Sequence, residues 1–170
     1  MIHDASGIKY VASPLLQGKP VVHGFLTRVG GVSGTPYASL NFDGRDTDTK
    51  ENVERNRALF HEAFPVPPGR LVTVSQVHGK EALTIDGPLP ESPVEADAIV
   101  TAESGVAIGM MTADCQPILL FDPVNMAIGA VHAGWKGAAL GIVVETGELM
   151  WKKYGTRPED LIVSLGPCIG

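Results

Sequence analysis

Three side chains that could bind a metal ion stand next to strand-like runs of this 170-residue chain. His78 follows LVTVSQV, Cys115 precedes QPILLF, and His132 follows MAIGAV, so the separations are 37 and 17 residues (115 − 78 and 132 − 115). That spacing is wider than in a self-contained zinc knuckle, but a sheet can bring distant strand ends together. Two imidazoles and one thiolate are suitable ligands for Zn²⁺, and a set of three leaves one tetrahedral position open for water or substrate.

Spacing alone leaves other interpretations of these residues open. A cysteine at a strand end is commonly a small buried hydrophobic residue, and a histidine before glycine is commonly a hydrogen-bonded turn residue. Cys115 is also a candidate nucleophile, with His132 or His78 as its base. Asp114 is a candidate proton shuttle, although neighbouring strand residues point to opposite faces. Turn geometry, or a hydrogen bond to a ligand histidine, is its alternative role.

Charge and composition exclude several classes of protein. The formal net charge is −6 and no run is rich in Lys or Arg, which argues against binding to nucleic acid or anionic membranes. Gly, Asp or His interrupts the apolar runs, so no membrane span is predicted. The first residues do not resemble a signal peptide, and two cysteines are too few for a disulfide scaffold. We therefore predict a cytoplasmic protein, whose sequence does not indicate an oligomeric state.

Hydrophobic periodicity predicts two long helices and a series of strands. One helix lies in DTDTKENVERNRALFHEAF, with Asp48 or Thr49 as its N-cap, and the other in KGAALGIVVETGELMWKKYG, ending at Gly155. The predicted strands are VVHGFLT, LVTVSQVHG with EALTI as its hairpin partner, ADAIVT, GVAIGMMTA, PILLFDP, MAIGAVHAG and DLIVSL.

The later strands are joined by connections too short for crossover helices. We therefore predict an α+β fold, a layered α/β/β/α sandwich with mixed, largely antiparallel sheets. No linker separates domains, so residues 1–170 are predicted to be a single domain. The end at GPCIG, directly after a strand-like run, predicts that a C-terminal portion is missing.

Several strings together resemble one protein family. HGFLTRVGGVSGTPYASLN, SQVHG, EADAIVT, TADCQPILLFDP, AVHAGWKG and LGPCIG occur in this order and are similar to the YfiH family of laccase-domain or "polyphenol oxidase" proteins. The resemblance implies that His78, Cys115 and His132 bind zinc, with copper possible. It also implies phosphorolysis of adenosine, inosine and methylthioadenosine to the base and a sugar 1-phosphate, and deamination of adenosine.

These activities need a phosphate site and contacts to the nucleoside. Arg28, followed by the glycine-rich VGGVSG, offers a guanidinium and backbone N–H groups to phosphate. Lys136, at a predicted helix N-terminus after His132, is a second anion-binding candidate. The resemblance favours Asn41 as a contact to the base edge or the ribose.

The residues and the family resemblance together suggest three functions. The first is a zinc-dependent purine nucleoside phosphorylase with adenosine deaminase activity, in which His78, Cys115, His132 and Asp114 are the catalytic set. The second is a cysteine hydrolase or deamidase that uses Cys115, and the third is a non-catalytic nucleoside-binding module. Laccase chemistry is disfavoured because five histidines cannot supply a type 1 copper and a separate trinuclear cluster.

Overall fold

The structure is a computed structural model that describes residues 1–44 and 47–169. It divides the chain into two compact units, the first formed by Met1–Gln17 and Val22–Pro68, the second by Gly18–Val21 and Gly69–Gly170. Helices and mixed sheets confirm the predicted α+β class. In the described ranges, no helix is both long and apolar enough to cross a membrane.

In its described residues, the first unit combines a small antiparallel sheet with one α-helix. Its strands are β1 (Ile2–Ala5), β2 (Ile8–Val11) and β3 (Phe25–Leu26), in the order β1-β2-β3. Strand β3 has only two residues of the longer strand predicted over VVHGFLT. The core contains Ile8, Leu40 and Phe64.

The helix of this unit, α1 (Lys50–Ala63), begins and ends where its sequence predicts. Thr49 is the N-cap, and its hydroxyl accepts a hydrogen bond from the Asn52 N–H at 3.2 Å. Pro65 disfavours helical backbone at Phe64, which is extended and ends the helix. Capping and proline chemistry therefore set both ends.

The second unit contains a five-stranded sheet and a separate parallel pair of strands. The large sheet has the order β10-β8-β9-β6-β5, in which only β5 and β6 pair in parallel. Its strands are β5 (Ala82–Ile85), β6 (Ala98–Thr101), β8 (Gln116–Asp122), β9 (Ala127–Ala133) and β10 (Ile162–Leu165). The parallel pair consists of β4 (Leu71–Thr73) and β7 (Ala107–Gly109).

Both faces of the large sheet are covered within this unit. Ala98 and Val100 of β6 belong to a core shared with helix α3 (Ile142–Tyr154), whereas Ile99 belongs to a core shared with β4. Burial on both faces explains why ADAIVT is almost continuously apolar. The resulting layers are helix, large sheet and strand pair.

Two predicted details of this unit are wrong. EALTI is not a hairpin partner of LVTVSQVHG, because β5 pairs in parallel with β6 and β4 pairs in parallel with β7. The predicted second long helix is broken into α2 (Trp135–Ala139) and α3, because Gly141 has a left-handed φ of +81°. The end at Gly155 is as predicted, with a φ of +75°.

The turn between β8 and β9 is organised by a buried carboxylate. Asp122 accepts hydrogen bonds from the backbone N–H groups of Val124 and Asn125 at 2.8 and 3.1 Å, and from the Asn125 side chain at 2.8 Å. Burial raises the pKa of Asp122, but the hydrogen bonds that its carboxylate accepts outweigh burial and hold the pKa below the usual value.

Replacing Asp122 with alanine is expected to lower the free energy of unfolding by about 2–3 kcal/mol at pH 7, because three donors lose a charged acceptor. Since the folded-state pKa is depressed, this stabilisation is complete above the unfolded-state pKa of about 3.9 and is lost as the pH falls through the folded-state pKa. Urea unfolding at pH 7 and pH 3 measures it. Glu91→Ala, at an exposed position, is the control; an equal Asp122→Ala effect at both pH values would contradict this role.

Candidate metal centre

The second unit brings together the three predicted ligands. One potential ligand atom from each of His78, Cys115 and His132 lies within 4.8 Å of the other two. The Cys115 Sγ is 3.9 Å from the His78 Nε2, and the two imidazole ring centroids are 4.7 Å apart with an interplanar angle of 84°. Tetrahedral zinc bonds imply sulfur–nitrogen separations of roughly 3.6 Å. The donor set and its spacing therefore fit one ion.

Strand register explains why Cys115 meets His132. Gln116 pairs with Ala133 and Pro117 pairs with His132 across β8 and β9, so Cys115 precedes β8 directly opposite the end of β9. His132 is buried, whereas Cys115 is partly buried and His78 is exposed. The site is thus anchored in the sheet and opens toward solvent at His78.

Asp97 connects the two histidine segments. One carboxylate oxygen lies 2.8 Å from the His132 Nδ1 and also accepts the His78 backbone N–H at 3.0 Å. The other oxygen accepts the backbone N–H groups of Val77 and Gly79 at 3.2 and 2.7 Å. Four donors converge on one fully buried carboxylate. Asp97 therefore fixes the turn at His78 relative to strand β9.

The same carboxylate determines which nitrogen of His132 is available. Burial raises the pKa of Asp97, but hydrogen bonds from His132 and from the backbone of residues 77–79 outweigh burial and keep the pKa below its usual value. An ionised Asp97 accepts a hydrogen bond from the N–H of His132 Nδ1, and this tautomer leaves the lone pair of Nε2 free for a metal ion. Metal-binding histidines are commonly oriented in this way.

Two glycines after His132 are required by close packing. A Cβ at Gly134 would lie 2.9 Å from the His78 Cδ2 and 3.2 Å from the Cys115 Sγ, and a Cβ at Gly137 would lie 2.8 Å from the Gly79 carbonyl oxygen. Any side chain at Gly134 would therefore displace the His78 imidazole and crowd the Cys115 sulfur. The glycines of HAGWKG pack against the site.

The remaining predicted residues of the second unit lie near these ligands in sequence. Asp114 has an exposed side chain, and its carbonyl oxygen accepts the Ile169 N–H at 3.0 Å. Asp97, rather than Asp114, makes the hydrogen bond to a ligand histidine. Lys136 is exposed on α2, a helix of only five residues.

Arg28 and Asn41 belong to the first unit, where both contribute to one loop. Arg28 donates to the carbonyl oxygens of Ala38 and, at 3.2 Å, Pro36. The Asn41 amide donates to the Asp48 carboxylate at 3.0 Å and accepts the Asp43 N–H at 3.0 Å. The two side chains are therefore held in defined positions by their own loop.

Sequence reasoning missed Asp97 and Gly134 as site residues. Asp97 carried a signal, since it is a charged residue within the otherwise apolar run ADAIV. A buried charge needs partners, and this one has the ligand segments as its partners. Gly134 carried no such signal in the sequence, because its role depends on the side chains of His78 and Cys115, which are distant in sequence.

Fold and site together define an α+β protein with a candidate His₂Cys metal centre. The family model described as multi-copper polyphenol oxidoreductase laccase matches residues 22–170, and the chain belongs to that family. The YfiH resemblance is confirmed, because the purine nucleoside phosphorylase YfiH of Escherichia coli is 38% identical over 144 residues, 85% of this chain and 57% of that protein.

Other relatives agree. The purine nucleoside phosphorylase of Deinococcus radiodurans is 41% identical over 165 residues, which cover 97% of this chain and 62% of that protein. The structure of YlmD from Geobacillus stearothermophilus superimposes with a TM-score of 0.90 at 32% identity and covers 99% of this chain and 64% of that one. The chain thus spans about three fifths of the length of the relatives that it matches.

Proposed function

We propose that this chain carries the metal centre of a purine nucleoside phosphorylase that converts adenosine, inosine or methylthioadenosine and phosphate to the base and a sugar 1-phosphate. The observation that carries the proposal is the convergence of His78, Cys115 and His132 in a chain whose relatives are named purine nucleoside phosphorylases. We propose zinc as the ion, because two imidazoles and a thiolate suit zinc, with copper as the alternative.

Phosphorolysis forms a bond from a phosphate oxygen to C1′ of the sugar and breaks the bond from C1′ to the purine nitrogen. A bound ion would supply Lewis acidity at the position that the three ligands leave open. Arg28 and Lys136 are proposed to bind phosphate, since both are exposed cations, and Asn41 is proposed to bind the base or ribose. The departing purine leaves with the electron pair of the broken bond and takes up a proton.

Deamination of adenosine is proposed as a second activity of the same centre. It replaces the amino group at C6 by an oxygen from water, so a proton must reach the departing ammonia. The exposed carboxylate of Asp114, next to Cys115, is the candidate shuttle.

The direct test incubates the purified zinc-loaded chain with adenosine or inosine and resolves adenine, inosine and hypoxanthine, with and without phosphate. Phosphate-dependent release of the base is the expected result, and phosphate-independent conversion of adenosine to inosine reports deamination. A His78→Ala variant provides the background. If the protein binds nucleoside but forms no more product than the His78→Ala variant, the enzyme hypothesis is rejected in favour of a non-catalytic nucleoside-binding module.

A cysteine hydrolase or deamidase is the competing function, since Asp97 and His132 would also orient a general base beside Cys115. Two histidines around one thiol favour the metal, because a nucleophile needs only one base. Iodoacetamide distinguishes the two. The hydrolase would be supported by two results together: iodoacetamide alkylates Cys115 equally fast with and without zinc, and the protein releases ammonia from a glutamine substrate.

A further inference from the structure

We propose that Gln76 is a positioning residue that fixes the Cys115 segment against the His78 segment and thereby sets the metal affinity of the site. This inference rests on the metal centre proposed above. Its role is distinct from that of Asp97, which joins the segments of His78 and His132. Gln76 joins the segment that contains His78 to the segment that leads into Cys115.

The backbone pairing between these segments stops short of the site. Strands β4 and β7 pair in parallel through Leu71 with Ala107, Val72 with Ile108 and Thr73 with Gly109. At Ser75 the chain pairs instead with Glu95, and the Ser75 N–H donates to the Val94 carbonyl oxygen at 2.9 Å. Because the chain changes partners at Ser75, the β4–β7 ladder does not extend to residues 76 and 111.

The Gln76 side chain spans the segments where the ladder ends. Its Nε2 donates to the Met111 carbonyl oxygen at 2.7 Å, and its Oε1 accepts the Met111 N–H at 2.8 Å. One planar amide thus pairs with both polar groups of one residue, as a backbone peptide does in a strand pair. The two hydrogen bonds fix both distance and orientation.

The attachment lies close to two candidate ligands. Gln76 is two residues before His78, and Met111 is four residues before Cys115. At the far side of the Cys115 turn, the Asp114 carbonyl oxygen accepts the Ile169 N–H at 3.0 Å, and β8 begins at Gln116. Releasing Met111 would therefore free the segment that leads into Cys115, while the β8 pairing would remain.

The side-chain chemistry at position 76 can be tested with two substitutions. Gln76→Glu retains length and shape but replaces the N–H donor with an acceptor that faces the Met111 carbonyl oxygen. Gln76→Met retains length and removes donor and acceptor. Arg70→Met is the matched control, because Arg70 donates to the Gly105 carbonyl oxygen at 3.3 Å at the opposite end of the same strand pair.

The experiment measures zinc affinity by competition with a chromogenic chelator and records the thiolate-to-cobalt charge-transfer band of the Co²⁺-loaded protein. Both Gln76 variants are expected to lose about 10–100-fold in zinc affinity, as is typical when an outer partner of a metal site is removed, and to show a weakened cobalt band. Arg70→Met is expected to retain the affinity and the band. Thermal unfolding of each metal-free protein establishes that the variants are folded.

Two results would overturn the inference. Zinc affinity within twofold of the unaltered protein in both Gln76 variants would show that Met111 needs no anchor. Failure of both variants to fold would assign Gln76 to the stability of the whole unit instead of to the site. Absence of zinc binding in the unaltered protein would instead reject the metal centre itself, so the two failures are distinguishable.

Discussion

Replacing Cys115 with serine is expected to remove zinc from the protein and to lower the proposed phosphorolysis activity by more than about 100-fold. Serine is nearly the same size, but its hydroxyl does not ionise near neutral pH and is a poor zinc ligand. Loss of an outer partner costs about 10–100-fold in metal affinity, so loss of one of three ligands should exceed that range. Zinc content after dialysis and the rate of base release are the two measurements.

Cys168→Ser is the matched control for this prediction. Cys168 is the other cysteine, and its Sγ donates to the Gln116 side-chain oxygen at 3.1 Å. This variant should retain one zinc per chain and an unchanged rate. A Cys115→Ser protein that keeps its zinc but loses its activity would identify Cys115 as a nucleophile and contradict its role as a ligand.

Replacing Asp97 with alanine is expected to lower the free energy of unfolding more than replacing Asp122 does. The substitution removes the acceptor of four hydrogen bonds, and it leaves the His132 donor buried and the backbone donors of residues 77–79 partly buried without a partner. Each buried donor without a partner costs about 1–3 kcal/mol, and partial entry of water lowers the sum, so a loss of about 3–5 kcal/mol is expected. Urea unfolding of the metal-free protein measures it.

The Asp97 substitution should also reduce zinc affinity, because His132 loses the partner that fixes its ring and the His78 turn loses its anchor. Thr101→Val is the control, because Thr101 lies in strand β6, which begins directly after Asp97. Thr101 donates to the Ile85 carbonyl oxygen at 2.8 Å and accepts the Glu103 N–H at 2.9 Å. The control should lose stability without losing affinity; equal affinities for Asp97→Ala and Thr101→Val would contradict the proposed role of Asp97.

Local signals in the sequence predicted the elements whose ends are set by local chemistry. Thr49 and Pro65 define α1 through a cap and a blocked backbone, and Gly155 ends α3 through its left-handed conformation. The β8–β9 hairpin followed from two apolar runs with a short connection. In each case the deciding interactions involve residues close in sequence.

These local signals did not predict which strands pair when the strands are distant in sequence. LVTVSQVHG and EALTI are adjacent and apolar, which predicted a hairpin, yet each pairs with a later strand. The turn between them is held by Asp97, nearly twenty residues away from His78, so no local pattern shows that the chain must turn there. For the same reason, the spacing of His78, Cys115 and His132 left a metal site as one of several interpretations. The order of the strings that resemble the YfiH family then favoured the metal site.

The backbone of His78 has a left-handed φ of +58°, a conformation that costs a non-glycine residue free energy, on the order of 1 kcal/mol or more. A glycine at this position would relax the turn but would remove an imidazole that faces the Cys115 sulfur. Selection for thermal robustness and selection for the chemistry of the site therefore oppose each other at position 78. A stabilised version of this protein should gain its stability elsewhere, in surface positions and helix caps.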